Sequence, residues 1–201
     1  MKILFLGNKP SSITKILNDN GNEFMEWFDP IDIHFLEKNK IEFIVSYGYR
    51  HLIRQPVLDY LAGKIINLHI SYLPWNRGAD PNLWSFLEDT PKGVSIHFID
   101  HGIDTGDIII QKEINFLKDS ETLSTTYNRL QNEMVTLFQE EWPAIRDGCC
   151  KRHRQFPGGS FHKSSDKERY LHLLTAGLDT PVNLLKGKAL LESLELTSKG
   201  N

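Results

Sequence analysis

The chain has 201 residues, with 23 Lys and Arg against 26 Asp and Glu for a net charge of −3. Its 40% hydrophobic and 24% charged residues are ordinary globular usage, which excludes wholesale disorder, and the length suits one domain with at most a small appendage. The acidic balance argues against a protein whose main work is neutralising a nucleic-acid backbone.

The opening Lys2-Ile3-Leu4-Phe5-Leu6 is a continuous apolar run that predicts a strand buried on both faces. After a break over residues 7–12, Ile13, Ile16 and Leu17 recur at helical spacing, with Ser11 or Ser12 as the cap. Residues 41–46 form a second buried run ending at Tyr47-Gly48-Tyr49. A helix around residues 55–61 leads to a third run over residues 64–69. Strand, helix, strand, helix, strand is the pattern of an open, mostly parallel α/β sheet.

The middle of the chain changes character. Val94, Ile96 and Phe98 alternate with Ser95, His97 and Ile99, which predicts a strand with one mostly apolar face. Residues 107–113 predict another, and His101-Gly102-Ile103-Asp104-Thr105-Gly106 between them reads as a tight connection, so the two form a hairpin or a bent pair. Next, Leu123, Tyr127, Leu130, Met134, Leu137, Phe138, Trp142 and Ile145 make one apolar stripe of a long helix. Asp119 or Ser120 is expected to cap its start, Glu121 to sit in its first turn and Gly148 to stop it.

Past Gly148 the composition shifts. Lys151, Arg152, His153 and Arg154 are basic, a loop follows over residues 156–159, and residues 166–201 carry leucines at the spacing of one or two short helices. Residues 1–148 are therefore expected to be the main domain and residues 149–201 an extension of loop and short helices. Cys149 and Cys150 are adjacent, without ligand spacing around them, so two reduced thiols are expected rather than a disulfide or a zinc site. The first apolar run is too short for a signal peptide and no stretch is long enough to span a bilayer. A cytoplasmic protein without membrane insertion is expected.

Polar groups at strand ends locate the chemistry. Asn67 and His69 stand two apart at the end of an apolar strand, so their side chains project to the same side. Ligands of open α/β sheets bind at the carboxyl ends of strands. The pair either caps the strand through backbone bonds or faces a ligand. Asp104, inside Gly-Ile-Asp-Thr-Gly, either satisfies turn amides or completes a set of amide, imidazole and carboxylate. Such a set stabilises an oxyanion and moves a proton. Ser71 and Ser95 lack a triad, so direct acyl transfer fits better than a covalent intermediate.

The segment Asn67-Leu68-His69-Ile70-Ser71-Tyr72-Leu73-Pro74-Trp75-Asn76-Arg77-Gly78 resembles the Asn-x-His-x-Ser-x-Leu-Pro-x-x-Arg-Gly motif of the folate-dependent formyltransferases. Gly93-Val94-Ser95-Ile96-His97-Phe98-Ile99-Asp100 followed by Gly102-Ile103-Asp104-Thr105-Gly106 resembles that family's second motif. The similarity covers residues 1–148 and is weakest over residues 8–40. It implies a Rossmann-like fold and a catalytic group of Asn67, His69 and Asp104. In that group Asn67 binds the formyl oxygen, His69 stabilises the oxyanion and helps move the proton, and Asp104 orients His69. N10-formyltetrahydrofolate is implied as the formyl donor, with Arg50, His51, Leu52 and Ile53 on one wall of its site and Asp100 and Ile103 on the other, and with no metal.

The wording from Ile70 to Asn82 is most similar to the sugar N-formyltransferases. This implies a nucleotide-linked amino sugar, dTDP- or GDP-linked, as acceptor, and a role in building O-antigen or other surface glycans. Trp75, Arg77, Asp80 and Asn82 are implied on the acceptor side, with Trp84 either there or in the core. Two alternative acceptors fit less well. Pro10 interrupts the place of the glycine-rich phosphate loop of the glycinamide ribonucleotide enzymes, and the residues after 148 are too few for the barrel of the methionyl-tRNA enzymes. A non-catalytic folate- or nucleotide-binding module and a formyltetrahydrofolate hydrolase are the remaining alternatives. The family often forms dimers, and the leucines after residue 166 suit either a homodimer contact or packing within the chain.

Overall fold

The computed structural model describes residues 1–7, 11–117 and 120–191. The expected first strand is β1 (Lys2–Leu6), four of whose five residues are buried. It is apolar throughout because a parallel neighbour flanks it on each side: β2 (Glu23–Trp27), with Ile3 opposite Phe24, and β3 (Phe43–Ser46), with Ile3 opposite Phe43. Helix α1 (Ser11–Asp19) connects β1 to β2 and buries the expected Ile13, Ile16 and Leu17. It begins at Ser11, next to residues that lie outside the described ones. Helices α2 (Ile33–Asn39) and α3 (Gln55–Tyr60) lead into β3 and into β4 (Ile65–His69), which lies parallel to β3.

The chain then makes a two-residue strand, β5 (Arg77–Gly78), and helix α4 (Pro81–Leu87) before returning as β6 (Gly93–Phe98), antiparallel to β4. β7 (Ile108–Glu113) follows β6 in the sheet, whose order is β2-β1-β3-β4-β6-β7. Helix α5 (Leu123–Arg146) comes next, and β8 (Phe161–His162) pairs in parallel with β5. The result is the expected α/β, Rossmann-like fold with a mostly parallel sheet.

Several expectations need correction. β2 and α2 had no counterpart in the sequence reading. β2 is an edge strand whose residues are half-buried or exposed, so it lacks the apolar run that marks β1. α2 has only seven residues, started by the Asp32 carboxylate accepting from the Phe35 amide at 2.7 Å and stopped by Lys40 in a left-handed conformation. β6 has no exposed face: all six residues are buried, because β4 and β7 flank it and its polar side is covered as well. The start of α5 is a reciprocal pair in which the Thr122 amide donates to Thr125 Oγ1 and the Thr125 amide to Thr122 Oγ1. The cap is thus Thr122 rather than Ser120, while Asp119 lies outside the described residues. Gly148 does end the helix, at φ 69°, where the Cys149 amide reaches back to the Ala144 carbonyl. The leucine-bearing segment forms short helices, of 3-10 type at Asp166–Leu173, Gly177–Asp179 and Val182–Leu184, with α-helix over residues 188–191.

Two compact units interleave along the chain. Met1–His69, Ser95–Gln111 and Met134–Gln155 form the first; Ile70–Val94, Lys112–Glu133 and the described residues from Phe156 onward form the second. These units differ from a linear division at residue 148. The first unit's core joins Leu4, Leu6, Leu36, Ile44, Val57 and Ile65. Trp142 is also fully buried there, edge-on to Phe43 with ring centroids 5.8 Å apart. The second unit's core gathers Leu83, Trp84, Phe86 and Leu87 of α4 with Leu123, Tyr170 and Leu185.

Candidate active site

The carboxyl end of β4 positions the first two groups. In the antiparallel register Asn67 faces His97 and His69 faces Ser95, so the pleat puts all four side chains on one face of the sheet. The third group, Asp104, lies on the loop between β6 and β7 at φ 53°. Asn67 Nδ2 donates to Asp104 Oδ1 at 3.1 Å, and His69 Nδ1 stands 3.7 Å from Asp104 Oδ2. That second distance is long for a hydrogen bond but within reach of an ion pair when the ring is charged. The three expected catalytic residues are therefore brought together.

His97 joins them, and the sequence reading missed it. Its Nδ1 is 2.8 Å from the Phe98 carbonyl oxygen. A carbonyl only accepts, so Nδ1 carries a hydrogen and Nε2 of the neutral ring is an acceptor. Asn67 Nδ2, at 3.3 Å, is the donor that meets it. Both amide hydrogens of Asn67 are thus engaged, one on His97 and one on Asp104. Turning the amide over would set its oxygen against the carboxylate. The His97 side chain is 1% exposed, whereas His69 and Asp104 are 9% and 12% exposed. The first supports from within; the other two reach the surface. The signal for His97 in the sequence was its place, with Ser95, on the less apolar side of an alternating strand.

The loop carrying Asp104 is tightly built. Asp100 Oδ1 accepts from the Gly102 amide at 3.0 Å and from Thr105 Oγ1 at 2.6 Å. Gly106 packs so closely on the strand that a Cβ there would stand 1.9 Å from the Phe98 carbonyl oxygen. Of the residues expected at the folate, Leu52 and Ile103 are exposed apolar side chains, 62% and 41% accessible. Ile53 packs on the core, His51 lies edge-on to Tyr49, and Arg50 is exposed. Asp100 is exposed, with one oxygen engaged in its own loop. The Tyr49 hydroxyl donates to the Asp29 carbonyl at 2.7 Å. Burial, with Asp29 nearby, pushes its pKa up to about 12.

The residues expected on the acceptor side lie in the second unit. Trp75 and Arg77 are half-buried, and Arg77 pairs through β5 with Phe161 of β8. Asp80 is in ion-pair contact with Lys167 at 2.9 Å. Asn82 is buried and its amide donates to the Leu123 carbonyl at 3.0 Å. Trp84 is a core residue, 4% exposed and stacked on His162 at 3.7 Å with a 5° interplanar angle. The place where a phosphate loop was weighed, residues 8–10, lies outside the described residues. Among the described residues no group of three or more His, Cys, Asp or Glu side chains is arranged for a metal ion, and no helix is long and apolar enough to cross a membrane.

The formyl transferase family pattern matches residues 9–141. The chain belongs to this family. Among solved structures it is similar to the formyltransferase PseJ of Anoxybacillus kamchatkensis, a complex with UDP-4,6-dideoxy-4-formamido-L-AltNAc and tetrahydrofolate. The two are 50% identical at a TM-score of 0.90, over 94% of this chain and 100% of that one. A 4-N formyltransferase from Francisella tularensis shares the fold, with 22% identity and a TM-score of 0.73 over 84% of this chain and 78% of that one. Among curated proteins, the phosphoribosylglycinamide formyltransferase of Bacillus subtilis (strain 168) is 36% identical over 51% of this chain and 53% of its own. The methionyl-tRNA formyltransferase of Syntrophus aciditrophicus (strain SB) is 36% identical over 52% of this chain and 33% of its own. This formyl transferase family member thus spans between about a third and about half the length of those two curated relatives.

Proposed function

We propose that the protein is an N-formyltransferase that moves the formyl group of N10-formyltetrahydrofolate to the amino group of a nucleotide-linked amino sugar. The observation that carries this reading is the gathering of Asn67, His69 and Asp104 at the carboxyl end of β4. A bond forms between the sugar nitrogen and the formyl carbon, the bond from that carbon to N10 breaks, and a proton passes from the amine to N10. His69 takes up the charge developing on the formyl oxygen and helps carry the proton. Asp104, 3.7 Å from the ring, orients it and steadies its charged form. Asn67 offers the formyl oxygen a share of the hydrogen in the longer 3.3 Å contact with His97, which keeps the amide aligned.

On this reading Arg50, His51, Leu52 and Ile53 meet the folate on one side and Asp100 and Ile103 on the other. The exposed Leu52 and Ile103 suit an aromatic ring system. Trp75, Arg77 and Asp80 serve the acceptor, Arg77 suiting a diphosphate. Asn82 does so only through the backbone it holds. The catalytic groups all precede residue 148, and residues 149–201 form the extension. The 50%-identical neighbour holds a UDP-linked sugar, so UDP is the first nucleotide to test, ahead of dTDP and GDP. A cytoplasmic homodimer without nucleic-acid partners completes the reading, with exposed Leu171, Leu178 and Leu184 as the contact; light scattering checks its mass.

The test is release of tetrahydrofolate from N10-formyltetrahydrofolate with UDP-, dTDP- and GDP-linked amino sugars, glycinamide ribonucleotide and methionyl-tRNA assayed side by side. Turnover confined to a sugar nucleotide is expected. Turnover with glycinamide ribonucleotide or methionyl-tRNA alone would assign the chain to the acceptors of its curated relatives instead.

A further inference from the structure

The first compact unit does not end with α5. Residues 152–155 run back along the loop that carries Asp104 and are tied to it repeatedly. His153 and Ile108 exchange backbone hydrogen bonds of 2.9 and 2.8 Å. The Arg152 guanidinium lies 3.9 Å from the centre of the Phe98 ring, with its Nε 3.4 Å from Asp107 Oδ2. At the end of the strap, Gln155 Nε2 donates to the Asp104 carbonyl at 2.8 Å and to the Gly106 carbonyl at 2.9 Å.

We infer that Gln155 is a positioning residue for Asp104, its single planar amide holding the carbonyls on either side of Thr105 and so fixing the backbone from which the Asp104 carboxylate is aimed. Asp104 sits at φ 53°, a conformation that L side chains rarely adopt and that persists only where the surroundings determine it. Gly106 cannot supply the restraint through a side chain, because no Cβ fits there. The orientation of the Gln155 amide is dictated by these two acceptors. Its Oε1 is buried without a hydrogen-bond partner, and the flipped amide would place that oxygen against two carbonyl oxygens. Both hydrogens are needed, which a carboxylate of the same shape lacks.

The inference rests on the reading of Asp104 as a catalytic group, so three variants are compared: Asp104→Asn, Gln155→Met and Gln155→Glu. Each is assayed for formyl transfer from N10-formyltetrahydrofolate to the UDP-linked amino sugar, with kcat and both KM values resolved, and for thermal unfolding. Gln155→Met keeps the bulk and removes the donors. It is expected to lower kcat on the order of 10²-fold with both KM values near wild type, the signature of a misaimed group rather than a lost binding contact. Gln155→Glu is expected to lower kcat further. Gln155→Met with wild-type kcat beside an inactive Asp104→Asn would overturn the role of Gln155 alone. Gln155→Met that loses kcat only with matching rises in both KM values and a fall in melting temperature would overturn it too, as a merely structural residue. A fully active Asp104→Asn would overturn the reading of Asp104 and this inference together.

Discussion

In the first compact unit His69 faces Asp104 across 3.7 Å; in the second, His162 faces Glu88 across 3.3 Å. Both pairs are largely buried and either, taken alone, suits proton transfer. Their surroundings separate them. His162 lies flat beneath the Trp84 indole at 3.7 Å, and Tyr170 closes on that indole edge-on, so the ring is part of the second unit's packing. Around His69, the His97 ring stands perpendicular with the centroids 6.3 Å apart. The carboxylates differ as well. Glu88 follows α4 directly, whereas Asp104 is carried on a loop at positive φ beside the Asn67 amide and the His97 imidazole, whose Nε2 is 3.4 Å from its Oδ1. A histidine–carboxylate pair becomes a candidate for chemistry through the polar groups gathered around it, not through its own separation.

The largest effect that sharpens this contrast is expected from His69→Ala. Loss of a positioned acid–base group costs about 10²–10⁴-fold in kcat. Steady-state formyl transfer checks it, and an unchanged rate would return His69 to the same structural role as His162. His97→Phe is next: it keeps an aromatic ring but removes the acceptor that holds Asn67. One hydrogen bond of about 1 kcal/mol corresponds to a loss of about fivefold in kcat. Pre-steady-state formyl transfer under saturating donor reads this step directly.

These residues show how far the sequence was legible. Asn67, His69 and Asp104 drew notice as polar groups at the end of an apolar strand and a carboxylate between glycines. Capping explains those patterns as well, and the motif resemblance marked the three as the expected catalytic group. His97 was not marked. Period-two alternation assigns every second residue to an open face, and only the register with β4, which sets His97 opposite Asn67, reveals that this face is covered. Gln155 is further from legibility, since its partners are backbone carbonyls 51 and 49 residues away and carbonyls leave no trace in a sequence. The same physics decided the elements. β1 and β4 announce themselves by burial on both faces, while β2, half-buried at the sheet edge and carrying Glu23 and Glu26, does not.

Smaller effects belong to the second pair. His162→Ala removes the ring stacked under Trp84 and leaves the half-buried Glu88 short of a partner. A loss of about 1–3 kcal/mol in unfolding free energy is expected, with kcat of the folded enzyme kept. Urea denaturation and an activity assay on the same preparation separate the two. The smallest is a pH effect. Burial pushes the Glu88 carboxyl up, but bonds from His162 and Ser160 and the charge of His162 outweigh it, and the net result holds Glu88 below its usual range. A carboxylate lowered on folding contributes stability above its unfolded pKa and loses it as the pH falls through the lower folded value. Wild type is therefore expected to melt above Glu88→Gln at neutral pH, the gap closing in acid. A gap independent of pH would contradict that assignment.

The central claim is that Asn67, His69 and Asp104 transfer a formyl group to an amine on a sugar nucleotide. Mass spectrometry of a UDP-linked amino sugar incubated with N10-formyltetrahydrofolate, using wild-type protein and His69→Ala in parallel, tests it most directly. The account predicts one formyl group added to the sugar amine by wild type and almost none by the variant. Equal formylation by both proteins, or tetrahydrofolate released with no formylated sugar, would contradict it.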